Sequence, residues 1–130
     1  MKHDHPHVTL ARTLWSAVAD GDAEALGLLL AEDVVWHAIG RNPLAGVYHG
    51  PDEVLDYLAR IGEATNDFSS SLENIYVNDE GAVLIYRVSA TRPGKTLESD
   101  FITRLTVRRG VVVETLQLPV DQRENDEFWS

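Results

Sequence analysis

The 130-residue sequence predicts an α+β fold in which three N-terminal helices pack on one face of a curved antiparallel β-sheet. Apolar residues recur at helical spacing in the first half of the chain, and from Phe68 onward the period changes to two. Four strand-like runs follow, separated by short turn signals, which is typical of an antiparallel meander. Helices that precede strands in this order indicate the α+β class.

The three helices are predicted from their apolar stripes and from the residues at their ends. The first spans about 6–19, and the second runs from about 23 to 30, with Asp22 placed to cap it. The third opens at Gly50-Pro51, because proline is favoured in the first turn of a helix, and Gly62 is expected to weaken or end it.

The strands are predicted from β-prone runs and turns. A short run at 34–36 precedes a loop at 40–46 and the third helix, and the meander strands are expected at about 69–78, 82–92, 96–108 and 111–118. A curved sheet closed by helices encloses an apolar cone, which is a natural pocket for a small molecule. The polar tail from 121 to 130 ends near Phe128 and Trp129, which are expected to dock on the mouth of this pocket or on a partner subunit.

Composition bounds the function. The chain has 11 Lys and Arg against 21 Asp and Glu, a formal charge of −10, so binding to nucleic acid or to an anionic membrane is not expected. It has no cysteine, which excludes disulfides and cysteine nucleophiles. The longest apolar stretch is too short to span a bilayer and the N-terminus has no signal-peptide pattern, so one cytoplasmic domain over 1–130 is expected, with 1–5 as a loose tail.

A histidine cluster lies near the N-terminus. His3, His5 and His7 alternate along the chain, and histidine is a common ligand of transition metals. Flexible tails of this type seldom form ordered sites, and no carboxylate constellation joins these residues. No nucleotide-binding motif is present either, so neither a metal nor another cofactor is predicted.

Several short motifs resemble the SnoaL-like branch of the NTF2-like superfamily. They are Trp36-His37, the segment 40–50, the earlier segments 20–22 and 30–34, and the closing segment 127–129. The resemblance implies the NTF2-like cone, a buried pocket and commonly a homodimer formed through the sheet. The superfamily includes ketosteroid isomerases, polyketide cyclases, limonene-epoxide hydrolases, dehydratases and non-catalytic members, so the resemblance implies no single reaction.

The resemblance also points to candidate catalytic residues. His37 is the residue nearest to the position of the family's base, although a one-residue gap leaves Trp36 or Ala38 as alternatives at that position. An imidazole can take and return a proton near neutral pH. Tyr57 stands where the family has an aromatic pocket residue, and its hydroxyl is a candidate donor to a substrate oxygen. The family's oxyanion-hole positions hold Leu14 and Thr103, which argues against steroid isomerisation by that machinery. A structural histidine and a core tyrosine are the alternative interpretations.

Gln117 is a further candidate if the polar residues of the last strand face the cone. In the family, the side chains at the positions of Thr115 and Gln117 point into the cone, where Gln117 would orient a substrate carbonyl or a water molecule. Val112, Leu116 and Leu118 would then lie on the outer face, and a partner subunit is the simplest cover for them. The reversed orientation, with Gln117 in solvent, stays open.

Asp100 and Arg87 are reserve candidates. Parity places Asp100 on the outer face beside an arginine, unless a β-bulge reverses the strand. Tyr86 and Arg87 lie on opposite faces of a strand that is apolar on both sides, so the sequence does not decide which is inside. Arg87 inside would indicate an anionic group on the substrate. Candidate substrate-binding residues are Leu14, Trp15, Trp36, Asn42, Tyr86, Thr103 and Thr115.

Together these observations predict a protein that binds a small, largely apolar molecule containing a carbonyl group. The leading hypothesis is a cofactor-independent isomerase, cyclase or hydratase in which His37 is the base and Tyr57 and Gln117 stabilise an oxyanion or hold a water molecule. A non-catalytic ligand-binding or dimerisation module is the alternative. Epoxide hydrolysis of the limonene-epoxide-hydrolase type is the third hypothesis, and it requires Asp100 and Arg87 to converge inside the cone.

Overall fold

The computed structural model describes residues 5–130 and confirms the α+β class with N-terminal helices. The helices are α1 (Pro6–Asp20), α2 (Ala23–Leu29), α3 (Gly50–Ala64) and α4 (Gln122–Trp129). The strands are β1 (Leu30–Ala38), β2 (Gly46–His49), β3 (Asn66–Asn78), β4 (Gly81–Arg92), β5 (Lys95–Arg108) and β6 (Val111–Pro119). None of the helices within residues 5–130 has both the length and the apolar character needed to cross a bilayer.

The ends of α1 and α2 follow ordinary capping chemistry. Gly21 ends α1 in the left-handed conformation, with φ at 64°, and the Asp22 side chain accepts a hydrogen bond from the Ala25 N–H at 3.0 Å. Gly62 was expected to weaken or end α3, and it does not end the helix, which continues to Ala64. One glycine in a helix interior costs only about 1 kcal/mol relative to alanine, and the buried stripe of α3 holds the helix in place.

The predicted tail is ordered at its last residue. His5 is the N-cap of α1, and its ring Nδ1 accepts a hydrogen bond from the His7 N–H at 3.1 Å. Residues 1–4, which make up the rest of the predicted loose tail and include His3, lie outside the described residues.

The sheet is mixed, with the strand order β2-β1-β6-β5-β4-β3. Strands β3 to β6 form the predicted antiparallel meander, whereas β1 pairs in parallel with β6 and antiparallel with β2. The prediction of a wholly antiparallel sheet is therefore wrong at the β1–β6 junction. A parallel pair needs a long connection, and here the connection is most of the chain. Neither β2 nor the full length of β1 was expected, since the β-prone run at 34–36 is short.

A β-bulge changes the face that the start of β6 presents. The register between β5 and β6 shifts so that Thr106 pairs with Glu114 and Val107 with Val112, which leaves Val113 as the extra residue. Val112 consequently points inward and is fully buried. Its expected place on the outer face is a wrong prediction, because alternation of side chains holds only while the register is continuous.

The C-terminal segment is a helix and not the polar tail that was expected. The Asp121 side chain caps α4 by accepting a hydrogen bond from the Glu124 N–H at 3.0 Å, and Phe128 at the other end is buried. The Arg92 guanidinium donates to the Phe128 carbonyl, and Lys95 Nζ donates to the Glu127 carbonyl at 2.8 Å. Cations at the C-terminus of a helix are favourable, so α4 is fixed against β4 and β5.

Candidate functional site

A cavity of about 440 Å³ lies between the helices and the concave face of the sheet. Side chains from α1, α3, α4 and from every strand except β2 line it. The lining includes the aromatic residues Trp15, Trp36, Tyr57, Tyr86 and Phe101. The predicted substrate-binding residues line this cavity with the exception of Thr115, and Tyr57 and Gln117 also line it. Thr115 is fully buried outside the lining, and within the described chain its hydroxyl has no hydrogen-bond partner.

A hydrogen-bond network centred on Gln117 crosses the cavity wall. Gln117 Oε1 accepts from Trp36 Nε1 at 3.1 Å and from the Tyr57 hydroxyl at 2.9 Å. Gln117 Nε2 donates to the Tyr86 hydroxyl at 3.3 Å, and the hydroxyls of Tyr86 and Thr103 lie 2.8 Å apart. We call these five residues the Gln117 network.

Two polar hydrogens of the Gln117 network make no hydrogen bond within it. An indole N–H can only donate, so its contact with Gln117 fixes which amide atom is oxygen. The five side chains carry six polar hydrogens, and the four hydrogen bonds use four of them. One hydrogen remains on the Gln117 amide, and one remains on the hydroxyl pair of Tyr86 and Thr103. Both are available to an acceptor atom in the cavity.

The cavity wall is electrically neutral at the network. Burial raises the pKa of Tyr57, and the neighbouring hydroxyls of Tyr86 and Tyr48 raise it further. Burial also raises the pKa of Tyr86, although its hydrogen bonds with Thr103 and Gln117 oppose the shift. Both phenols therefore stay protonated near neutral pH. In the described part of the chain, Asp20 at the end of α1 is the lining's one charged side chain.

His37 lies on the other side of the sheet. Its neighbours Trp36 and Ala38 line the cavity, so alternation along β1 turns the His37 ring to the outer face, by which we mean the side of the sheet away from α1 and α3. Its side chain is 32% exposed, and its Nε2 lies 3.6 Å from Glu114 Oε2. The structure therefore does not bring His37 together with Tyr57 and Gln117.

Asp100 and Arg87 also lie outside the cavity. They are paired across β4 and β5, and Arg87 Nη1 lies 3.1 Å from Asp100 Oδ1. Both side chains are about half exposed on the outer face. The epoxide-hydrolase hypothesis requires these two residues to converge inside the cone. They lie on the outer face instead, so the hypothesis loses its support.

Helix α4 contributes cavity residues that the sequence analysis missed. Asn125 and Trp129 line the cavity, and Trp129 Nε1 donates to Asn125 Oδ1 at 3.0 Å. An acidic cap at Asp121, followed three residues later by Glu124, was the available signal for a helix start. The segment was interpreted as a tail because most of its residues are polar.

The loop before β2 is fastened to α4 beside the cavity. Asp126 Oδ1 accepts hydrogen bonds from the Arg41 N–H and from Asn42 Nδ2, both at 2.8 Å. Asn42 Oδ1 accepts from the N–H groups of Leu44 and Ala45, at 2.9 and 3.0 Å, so Asn42 builds the turn and also lines the cavity. We call this arrangement the Asp126 latch.

The histidines of the described N-terminal segment have protein partners. His5 Nε2 lies 3.2 Å from Asp79 Oδ1, and His7 Nδ1 lies 2.8 Å from the Asn78 carbonyl oxygen. Across residues 5–130, no three histidine, aspartate or glutamate side chains are grouped so that they could hold a metal ion. The position of His3 lies outside the described residues.

Comparison with known proteins gives a consistent family. The chain matches a model of the SnoaL-like domain over residues 11–115. Uncharacterized proteins from Mycobacterium tuberculosis and Mycobacterium bovis are 30% identical over 129 residues, which is 98% of this chain and of each relative.

Solved structures share the fold over nearly the whole chain. Bal32a, from a soil-derived mobile gene cassette, is 27% identical, with a TM-score of 0.89 over 97% of this chain and 100% of its own. TerC, co-crystallised with polyporic acid, is 18% identical, with a TM-score of 0.83 over 95% of this chain and 98% of its own. Structures described as NTF2-like proteins from Burkholderia species match to a similar extent, so the fold is NTF2-like.

Proposed function

The chain belongs to the SnoaL-like domain family, and we propose that its cavity binds an uncharged, largely apolar organic molecule that presents an acceptor atom, such as a carbonyl oxygen, to Gln117. The observation that carries this proposal is the pair of unused polar hydrogens in the Gln117 network. A cavity of about 440 Å³ has the size of an ordinary small-molecule pocket. TerC, which shares the fold, was co-crystallised with a small organic molecule.

The neutral wall favours an uncharged ligand. A buried charge is costly unless a group of opposite sign compensates it, and the lining within residues 5–130 contains neither lysine nor arginine. The formal charge of −10 adds a long-range repulsion of anions. Among the described lining residues, Asp20 at the end of α1 is the one group that favours a cation.

Three naphthalene probes of similar shape test the proposal. 2-Acetylnaphthalene offers an acceptor, 2-isopropylnaphthalene replaces the acetyl group by a non-polar one, and 2-naphthoate is an anion. The ketone is expected to raise the melting temperature most, because a ligand of the native state stabilises it by mass action. Equal shifts with the ketone and the hydrocarbon would contradict a polar anchor, and a preference for the naphthoate would contradict a neutral site.

A cofactor-independent isomerase, cyclase or hydratase is the second candidate function. The same two hydrogens are suited to stabilise the negative charge that develops on a carbonyl oxygen when an adjacent carbon loses a proton. Such a reaction also needs a base, and the lining's carboxylate is Asp20. Hydrogen–deuterium exchange next to the carbonyl of 2-tetralone, followed by NMR, tests this: exchange that is lost in Asp20→Asn but kept in His37→Ala supports an enzyme. Binding without exchange supports the non-catalytic module.

A second copy of the chain is the proposed partner on the outer face. Leu116, Leu118 and Ile102 are half-buried there, on strands β5 and β6. The same face carries Glu114 and Arg104, whose charged atoms lie 3.7 Å apart, so it offers both signs of charge to an identical surface. Apolar side chains on an exposed sheet are commonly covered by a symmetric partner.

A further inference from the structure

We infer that Asn125 is a second anchoring point in the cavity, and that the ligand therefore carries two acceptor oxygens separated by an apolar body. This inference rests on the proposed function, to which it adds the ligand's second polar group and its position. The first acceptor meets the Gln117 network, and the second meets the side-chain amide of Asn125 on α4.

The contact with Trp129 determines how the Asn125 amide is oriented. Trp129 Nε1 lies 3.0 Å from the Asn125 side chain, and an indole N–H can only donate, so the atom that it meets is Oδ1. Nδ2 of Asn125 consequently points away from the indole. Asn125 is only 5% exposed to solvent, yet it lines the cavity.

Within residues 5–130 Asn125 Nδ2 donates no hydrogen bond, and the atom keeps some accessible surface although the residue is mostly buried. A buried amide group that loses its partners in water is unfavourable unless a new acceptor replaces them. An apolar side chain would fill the same position without that penalty. Because Asn125 lines the cavity, the occupant of the cavity is expected to supply an acceptor to Nδ2.

The two anchors lie on different elements of the cavity wall, the Gln117 network on the sheet and α3, and Asn125 on α4. Glu124, which precedes Asn125, accepts a hydrogen bond from the Glu98 N–H at 3.4 Å, whereas Thr103 of the Gln117 network lies five residues further along β5. Strands rise about 3.4 Å per residue, so roughly 17 Å of strand separates Glu98 from Thr103. Phe101 lines the cavity between them. An occupant that meets both anchors is therefore apolar along its middle.

Binding of matched diketones tests the inference. The probes are 1,4-diacetylbenzene, 2,6-diacetylnaphthalene and 4,4′-diacetylbiphenyl, which place two acceptors at increasing separation. Each is compared by calorimetry with the analogue in which one acetyl group is replaced by isopropyl, which keeps the shape and removes one acceptor. For at least one length, the diketone is expected to bind about 3–10-fold more tightly, the range that one net hydrogen bond provides.

Two variants distinguish a role of Asn125 in binding the ligand from its role as the hydrogen-bond partner of Trp129. Asn125→Leu is expected to abolish the preference for the diketone while the monoketone keeps its affinity. Trp129→Phe removes the indole N–H and leaves the Asn125 amide in place, so it is expected to keep the preference. If Asn125→Leu does not fold, the double variant with Trp129→Phe leaves no indole without a partner and answers the same question.

Each outcome decides between the two proposals. The second anchor is overturned if no diketone is preferred at any length, if the preference survives Asn125→Leu, or if Trp129→Phe removes it as well. The proposed function is untouched by those results as long as the monoketones bind. If neither monoketones nor diketones bind, the proposed function fails, and the second anchor fails with it.

Discussion

The two faces of the central strands carry polar groups of different kinds. Trp36 and His37 are adjacent in the chain, but Trp36 joins a neutral hydrogen-bond network in the cavity, and His37 lies 3.6 Å from Glu114 on the outer face. Gln117 faces the cavity, and the charged pair of Arg87 and Asp100 faces outward. Charged groups thus stay where water solvates them, and the polarity of the cavity is suited to hydrogen bonding with a neutral molecule.

The largest effect is expected from a substitution on the outer face, and it acts on dimerisation. Leu118→Arg places a cation on each copy of a symmetric interface, and burial of two like charges is strongly unfavourable. We expect the wild type to be a dimer at micromolar concentration and the variant to dissociate with a constant raised at least about 100-fold. Light scattering after size exclusion measures both states.

A substitution beyond the interface provides the matched control for dimerisation. Leu28 is 75% exposed on helix α2, so Leu28→Arg adds the same charge away from the strands of the outer face. We expect it to leave the dissociation constant unchanged. A wild type that is monomeric across the micromolar range would remove the proposal of a second copy on this face.

The next largest effect is expected from a substitution on the cavity face, and it acts on ligand affinity. Gln117→Leu deletes the shared acceptor of Trp36 and Tyr57 and one of the two spare hydrogens, so the affinity for 2-acetylnaphthalene is expected to fall about 10-fold. Leu116→Ala alters the adjacent residue on the outer face and is expected to change affinity less than about twofold. Calorimetry on the folded variants compares them, and equal losses in both would contradict the assignment of the two faces.

The sequence predicted the faces of β6 well only where the register is continuous. Alternation from Thr115 to Leu118 agrees with the pairing of β6 with β5, whereas Val112 was misplaced because no local signal marks the bulge at Val113. The same limit explains the placement of His37. The resemblance gave its position near the end of the first strand, but a shift of one residue decides whether a strand residue reaches the cavity, and Trp36 takes that place.

The helical half was predicted better than the closing segment. Helices α1 to α3 have apolar stripes with local end signals, which a single sequence reveals. Helix α4 adds Phe128 and Trp129 to the core at its end, but its other residues are mostly polar, so it has no apolar stripe in the sequence. Its side-chain contacts with the loop at 40–45 span more than 80 residues, and no local pattern encodes such contacts.

The Asp126 latch joins the cavity rim to α4, so its loss is expected to have a moderate effect on stability. Burial alone would raise the pKa of Asp126, but hydrogen bonds from Asn42 and from the Arg41 N–H outweigh it and lower that pKa. A lowered pKa in the folded state means that the carboxylate stabilises the fold above its ordinary value near 4, and that this stability disappears as the pH falls through the lowered value.

Asp126→Ala is expected to lower the free energy of unfolding by about 1 kcal/mol at neutral pH, because it removes hydrogen bonds at a partly exposed site. It is also expected to flatten the loss of stability as the pH falls below about 4. Urea denaturation at several pH values measures both effects. Gly40→Ala should act similarly, since a Cβ at Gly40 would lie 2.7 Å from Asp126 Oδ1. Wild-type acid sensitivity in Asp126→Ala would show that the latch is not the responsible group.

His37→Ala is expected to have the smallest effect on the cavity, and it distinguishes the two faces most directly. The sheet separates the His37 ring from the Gln117 network, and the ring's charged neighbour is Glu114, which also lies 3.7 Å from Arg104. The affinity for 2-acetylnaphthalene should therefore change less than about twofold, as for other substitutions remote from a binding site. Any effect should appear in the dimer dissociation constant, because the ring lies on the surface proposed to meet a second copy. A loss of ligand affinity in His37→Ala as large as that in Gln117→Leu would mean that His37 acts on the cavity after all. The neutral network would then be only part of the site.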